Sequence, residues 1–261
     1  MEHVVPDIND CPVVMTIIFL CCAIWLYQRY HEVDLQKVRI DYTRIVDHHE
    51  WWRIVTGALS HVSLLHMVFN LLCLWVLRSH ETQLGSMLYL ELTFLLFFHS
   101  SITLIFVYFF QQRYWDRTES VVGYSGVLYG LISFECVLHS GAMFFFGYDV
   151  PYYLGPFLIL ALDQGIGMLM KQKVSLTGHL SGMVWGFICG SIFTHYKFHP
   201  SGLPIPGRWP LEQPHEVAIS MWFWVSFLAF IMLMIYSVWK SDPFGINKRV
   251  TVGDDVQNDI V

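Results

Sequence analysis

The sequence predicts an all-α membrane bundle, and three observations carry that expectation. Only 14% of the 261 residues are charged while 55% are hydrophobic, against about 25% charged in a soluble domain. The mean hydropathy is +0.48. Seven stretches approach the roughly 20 mostly apolar residues that a helical span requires, and none has the alternation of a membrane β-barrel. Lipid leaves helices and closed barrels as the structures that satisfy every backbone group, so each stretch is read as a helix. The same composition excludes a disordered chain and a disulfide-framed secreted module. A net charge of −6 without a basic stripe excludes a nucleic-acid binder.

The first stretch, 12–28, has the length of a secretory signal. No Lys or Arg lies in Met1–Cys11 and no clear cleavage site follows Trp25, so it is read as a retained span. A long loop follows, mixing charge with aromatics around Trp51, Trp52 and Arg53. Stretches 61–79, 86–110, 121–140, 151–170 and 176–196 come next, joined mostly by short connections. Pro200, Pro204, Pro206, Pro210 and Pro214 make 197–216 an extended linker. Residues 217–239 form the last apolar stretch. The expected organisation is a six-helix unit over 1–196, a linker over 197–216, an added helix over 217–239 and a polar tail over 240–261. Five of the six cysteines lie inside apolar runs and Cys11 sits at an edge, so all six are read as small hydrophobes.

Polar residues inside spans are functional candidates. The second stretch carries His61, His66 and Asn70. At about 100° per residue, His66 and Asn70 share a face one turn apart, while His61 lies roughly 140° from His66. A helical metal pair wants an i, i+4 spacing, so no metal and no cofactor are expected. The plainer reading is that these groups bond a neighbouring helix.

The fourth stretch holds Ser125 between Gly123 and Gly126, with Gly130 one turn on. The small-residue pair Gly126 and Gly130 allows close helix approach. The pattern differs from a hydrolase elbow, since Val127 stands where the last glycine belongs. In the sixth stretch His179, Gly182 and Gly186 share a face. Alone, each of these reads equally well as packing. Together, two glycine-faced helices would meet backbone to backbone and bring Ser125 and His179 to one end of the bundle. A serine hydroxyl needs an adjacent base, and His179 can take its proton and return it. Asn70, His66 and the Ser125 N–H are the expected oxyanion donors. Asp163 is the nearest upstream acid, but no spacing places it on His179. The residues therefore read as a Ser–His dyad.

These residues resemble the rhomboid intramembrane serine proteases. Trp52-Arg53 lies nine residues ahead of His61. His61-x4-His66-x3-Asn70, Gly123-x-Ser125-Gly126-x3-Gly130 and His179-x2-Gly182-x3-Gly186 follow in the family's order and spacing, and Glu81 ahead of Leu84-Gly85-Ser86 resembles the family's next junction. VGYSGVL and GHLSG are most similar to small eukaryotic members. The resemblance implies a six-helix rhomboid core with a seventh C-terminal transmembrane helix, and Ser125 heading a short fourth helix. It also implies His179 as general base and Tyr129 stacked upon it. Tyr124 departs from the alanine that bacterial members often carry.

Transmembrane protein substrates within the lipid bilayer are the implied partners, in an endomembrane or the plasma membrane, with an organelle membrane as the alternative. The family orientation puts the N-terminus in the cytosol. Basic residues argue the reverse, because only Arg78, Lys197 and Arg208 of the 15 Lys and Arg then fall on the cytosolic side. The motifs are more specific than the charge bias, so the family orientation is expected. The rival reading is a non-catalytic member that binds membrane clients for trafficking or degradation. Such relatives usually lack the serine or the base, and this chain keeps both.

Overall fold

The computed structural model describes residues 8–115, 119–139, 141–145, 148–169, 174–197 and 214–241. The first helix, α1 (Pro12–Tyr30), opens on a proline, which has no N–H to satisfy. The next two orphan donors, Val13 N and Val14 N, each donate to the Glu81 carboxylate at 2.9 Å. Glu81 is buried and lies near the far end of the second helical segment, so this cap ties α1 to that segment.

The long loop is built, not slack. It contains β1 (Ile40–Asp41), α2 (Tyr42–Val46) and α3 (Arg53–Leu59). Asp41 caps α2 by accepting from Arg44 N at 3.1 Å. The second span is then α4 (Leu64–Val76) followed by α5 (Ser79–Leu84). Ser63 caps α4, its hydroxyl accepting from His66 N at 3.2 Å. The helix thus starts three residues later than the expected 61–79, and α3 meets it at a 90° bend.

Gly85, at φ +81°, turns the chain into α6 (Ser86–Trp115). Its 30 residues make a rod of about 45 Å. β2 (Ser120–Val121) precedes α7 (Ser125–Leu138), and β3 (Ala142–Phe145) pairs antiparallel with β4 (Tyr148–Pro151). The remaining helices are α8 (Gly155–Leu169), α9 (Leu176–Lys197) and α10 (Pro214–Ser241). Helix therefore takes both ends of the expected 197–216 linker. Its middle, and the tail beyond Ser241, lie outside the described residues.

The molecule is an all-α membrane protein. Among the described residues, five helices are long and apolar enough to cross a bilayer, six if the bent pair counts as one. The stretch 121–140 falls short as a span: α7 has 14 residues, about 21 Å, against a hydrocarbon core of about 30 Å.

Glycine sets the central packing. A Cβ on Gly182 of α9 would drive into the Gly126 carbonyl of α7, and one on Gly186 into the Gly130 carbonyl. α7 and α9 therefore touch backbone to backbone. α10 packs against both α6 and α9. Phe223, Phe227 and Phe230 surround Phe94 at 5.3–5.5 Å between ring centroids. Ser220 donates to Glu91 at 2.5 Å, Ser226 lies 2.9 Å from His99 Nε2, and Ser237 donates to the His49 carbonyl at 2.7 Å.

Candidate active site

The segment ahead of Ser125 is held from the long loop. β2 pairs with β1, Ile40 opposite Val121 and Asp41 opposite Ser120. Gly123 N donates to the Gly57 carbonyl at 2.9 Å. Gly123 itself sits at φ +124°, and a Cβ there would meet His66 Cε1 at 2.8 Å. Both facts require glycine at this point. Arg53 is buried behind this arrangement: it pairs with Glu50 and donates through Nη1 to the carbonyls of Gln36 at 2.9 Å and Arg39 at 3.3 Å. Arg53 thus braces the loop that positions the serine.

Ser125 is the first residue of α7, so its N–H is one of the donors that a helix leaves unpaired at its start. The glycine seam sets α9 beside it, and His179 Nε2 lies 2.9 Å from Ser125 Oγ. Tyr129, one turn along α7, lies flat on the imidazole, with centroids 4.2 Å apart and planes 22° from parallel. On the other side of the ring, His179 Nδ1 approaches Asp163 Oδ2 of α8 at 3.2 Å. The same oxygen accepts the Tyr129 hydroxyl at 3.1 Å.

The acid at His179 corrects the sequence reading, which placed none there. Asp163 and His179 are 16 positions apart on separate helices, and no helical periodicity relates them. They stand within about two turns of the ends by which α8 leads into α9. Counting back from that connection was the signal that could have found the pair.

His61 needs a second correction. It precedes the Ser63 cap, so helical angles do not apply to it, and its ring lies 5.3 Å from that of His66. Ser63 followed by an apolar run is the start signal that would have revealed this. His61 is buried and both ring nitrogens lack a partner among the described residues. Those residues contain no group of three His, Cys, Asp or Glu suited to a metal ion.

His66 and Asn70 share the face of α4 that lines a cavity of about 710 Å³, together with Ser125, Tyr129, Asp163 and His179. Asn70 Nδ2 donates to the His66 carbonyl at 2.8 Å. Asn70 Oδ1 and His66 Nδ1 are buried without a partner among the described residues. The cavity thus gathers a hydroxyl, an imidazole, a carboxylate and unspent hydrogen-bonding groups under the braced loop. A serine and an imidazole at this separation are the pairing that acyl transfer requires.

The chain's residues 48–196 match the family model described as "Rhomboid domain". Among curated proteins, "Rhomboid-like protein 15" of Arabidopsis thaliana is 31% identical over 185 residues, which is 67% of this chain and 43% of that protein. "Rhomboid protease GlpG" of Photorhabdus laumondii subsp. laumondii is 28% identical over 179 residues, 68% of this chain and 60% of the relative. The protein of that name from Serratia proteamaculans is 25% identical over 190 residues, with 72% and 65% covered. The chain spans less than two thirds of the length of each of these relatives.

Proposed function

The chain belongs to the rhomboid family, and from that premise we propose that it is an intramembrane serine endopeptidase acting on transmembrane proteins. The 2.9 Å approach of Ser125 Oγ to His179 Nε2, inside a cavity walled by α4, α7, α8 and α9, carries this reading. Ser125 Oγ attacks the scissile carbonyl carbon while its proton passes to His179 Nε2. The new oxyanion is met by the Ser125 N–H and by Asn70 and His66, which face the same cavity. The intermediate collapses as the C–N bond breaks, and the imidazolium returns its proton to the leaving amine. Water then attacks the acyl-serine, His179 takes its proton, and the acid product leaves as Ser125 regains its hydrogen.

Hydrolysis within a bilayer needs a water-filled recess. The shortness of α7 fits that need, because its head is reached through the β2 segment under the braced loop. A substrate helix must unwind locally to present its bond, which favours small or helix-weakening residues near the cut. α8 is the natural lateral gate: Gly155 and Pro156 open it, Gly165 and Gly167 lie near its end, and of its residues only Gly155, Pro156, Leu160 and Gly167 are buried. Motifs shared with small eukaryotic members support placement in an endomembrane or the plasma membrane.

Ser125→Ala is expected to abolish cleavage of a model single-span substrate without lowering expression, and to abolish labelling by a fluorophosphonate probe. Cleavage that survives the substitution removes the assignment. Wild-type protein that neither labels nor cleaves supports client binding without catalysis.

A further inference from the structure

We propose that Asp163 completes the site as a positioning residue, making a Ser125–His179–Asp163 triad whose acid stands on the gate helix. The inference rests on the protease reading above and goes beyond its Ser–His pair. Its starting point is proton placement. For Ser125 Oγ–H to donate to His179 Nε2, the neutral imidazole must carry its own proton on Nδ1. His179 Nδ1 is buried, and the carboxylate of Asp163 is the acceptor beside it, at 3.2 Å. An acid in that place selects the required tautomer, and it stabilises the imidazolium formed when the serine proton arrives.

The ring is otherwise held by the Tyr129 stack and by Ser125 Oγ at Nε2. Stacking fixes its plane, and the Asp163 contact at Nδ1, opposite the Ser125 contact at Nε2, opposes rotation within that plane. The Tyr129 hydroxyl in turn holds the same oxygen at 3.1 Å. The 3.2 Å approach is close but not well aligned, and Nδ1 has no acceptor in line. Catalytic hydrogen bonds of an empty site commonly tighten only when substrate is bound. Here the acid stands on α8 while the base stands on α9, so a small movement of α8 aligns or misaligns them. Substrate docking against α8 thereby sets the base as well as admitting the chain.

The test measures kcat and KM on a single-span fluorogenic substrate in lipid bicelles, with the full chain and a thermal melt of each variant. The acid of a soluble serine-protease triad is worth about 10⁴ in kcat. The Asp163 side chain is 38% exposed, which weakens it, so Asp163→Asn should lower kcat about 100-fold, with KM within about twofold of wild type. Asp163→Glu, which keeps the charge, should recover kcat to within about tenfold of wild type. Tyr129→Phe removes a bond to the same oxygen but leaves the acid in place, and should cost far less than Asp163→Asn. Where the asparagine variant fails to fold, Asp163→Ser carries the test, with the same loss expected.

Wild-type kcat in the asparagine or serine variant overturns the proposal. So does a loss confined to KM, or equal losses in the asparagine and glutamate variants, since these mark a latch and not a positioning acid. Ser125→Ala is measured alongside. If it still cleaves, the protease reading itself has failed. If it is inert while Asp163→Asn retains wild-type kcat, only the triad has failed.

Discussion

α9 and α8 both border the cavity, yet they are attached to α7 in opposite ways. α9 meets α7 along Gly126, Gly130, Gly182 and Gly186, where backbone rests on backbone. α8 meets the bundle through a small cluster of Leu160 with Tyr129 and Met183, through Phe157 on Phe187, and through Asp163. Its outer face exposes Leu162, Ile166 and Met168. The seam has no side chains that can repack, so it fixes the distance from Ser125 to His179. The α8 contacts through Leu160, Phe157 and Asp163 are made by side chains, which can change rotamer as the helix moves. A fixed separation of Ser125 from His179 and a wall held by side chains beside it come from this difference in packing.

The seam offers the largest effect. Gly182→Ala forces α9 away from the Gly126 carbonyl, and should cost about 3 kcal/mol, the upper end of ordinary overpacking. Thermal unfolding in detergent and substrate cleavage both report it: the melting temperature falls and cleavage is lost. A variant with native melting and turnover would show that the seam does not hold the site. The α8 contact should respond differently. Phe157→Ala removes the stack on Phe187, whose centroids are 6.0 Å apart, at about 1 kcal/mol. Cleavage should rise as the wall loosens, and a parallel fall in cleavage would make α8 a fixed wall. Leu162→Ala, on the exposed face, should change stability by less than about 0.5 kcal/mol. A larger loss, seen in the same melts, would reveal that this face is covered by another protein.

Much of the site was legible because its residues recur at helical spacing. Gly126 with Gly130 and Gly182 with Gly186 predicted two small-residue faces, and Ser125 and His179 do meet where those faces meet. What was not legible depends on where helices begin and how they are joined. The angle assigned to His61 presumed a helix that starts only after Ser63. Asp163 approaches His179 through the way α8 leads into α9, a tertiary relation that helical periodicity cannot contain. The length of α7 was concealed because Val121 and Val122 carry the apolar run ahead of its start. The bracing of Arg53 was hidden for a similar reason, since its acceptors are the backbone carbonyls of Gln36 and Arg39, which carry no sequence signature.

α10 bears on a question of dimensionality. A soluble enzyme is approached from every direction, but molecules confined to a bilayer meet one another around a circumference. With its serines bonded to Glu91, His99 and the His49 carbonyl, α10 occupies the arc of that circumference along α6. A helix diffusing in the membrane that arrives on this arc finds a filled berth. On the protease reading such a collision is unproductive, and the remaining arc includes α8. α10 therefore closes this arc to lateral approach, held there by three polar contacts and a cluster of phenylalanines.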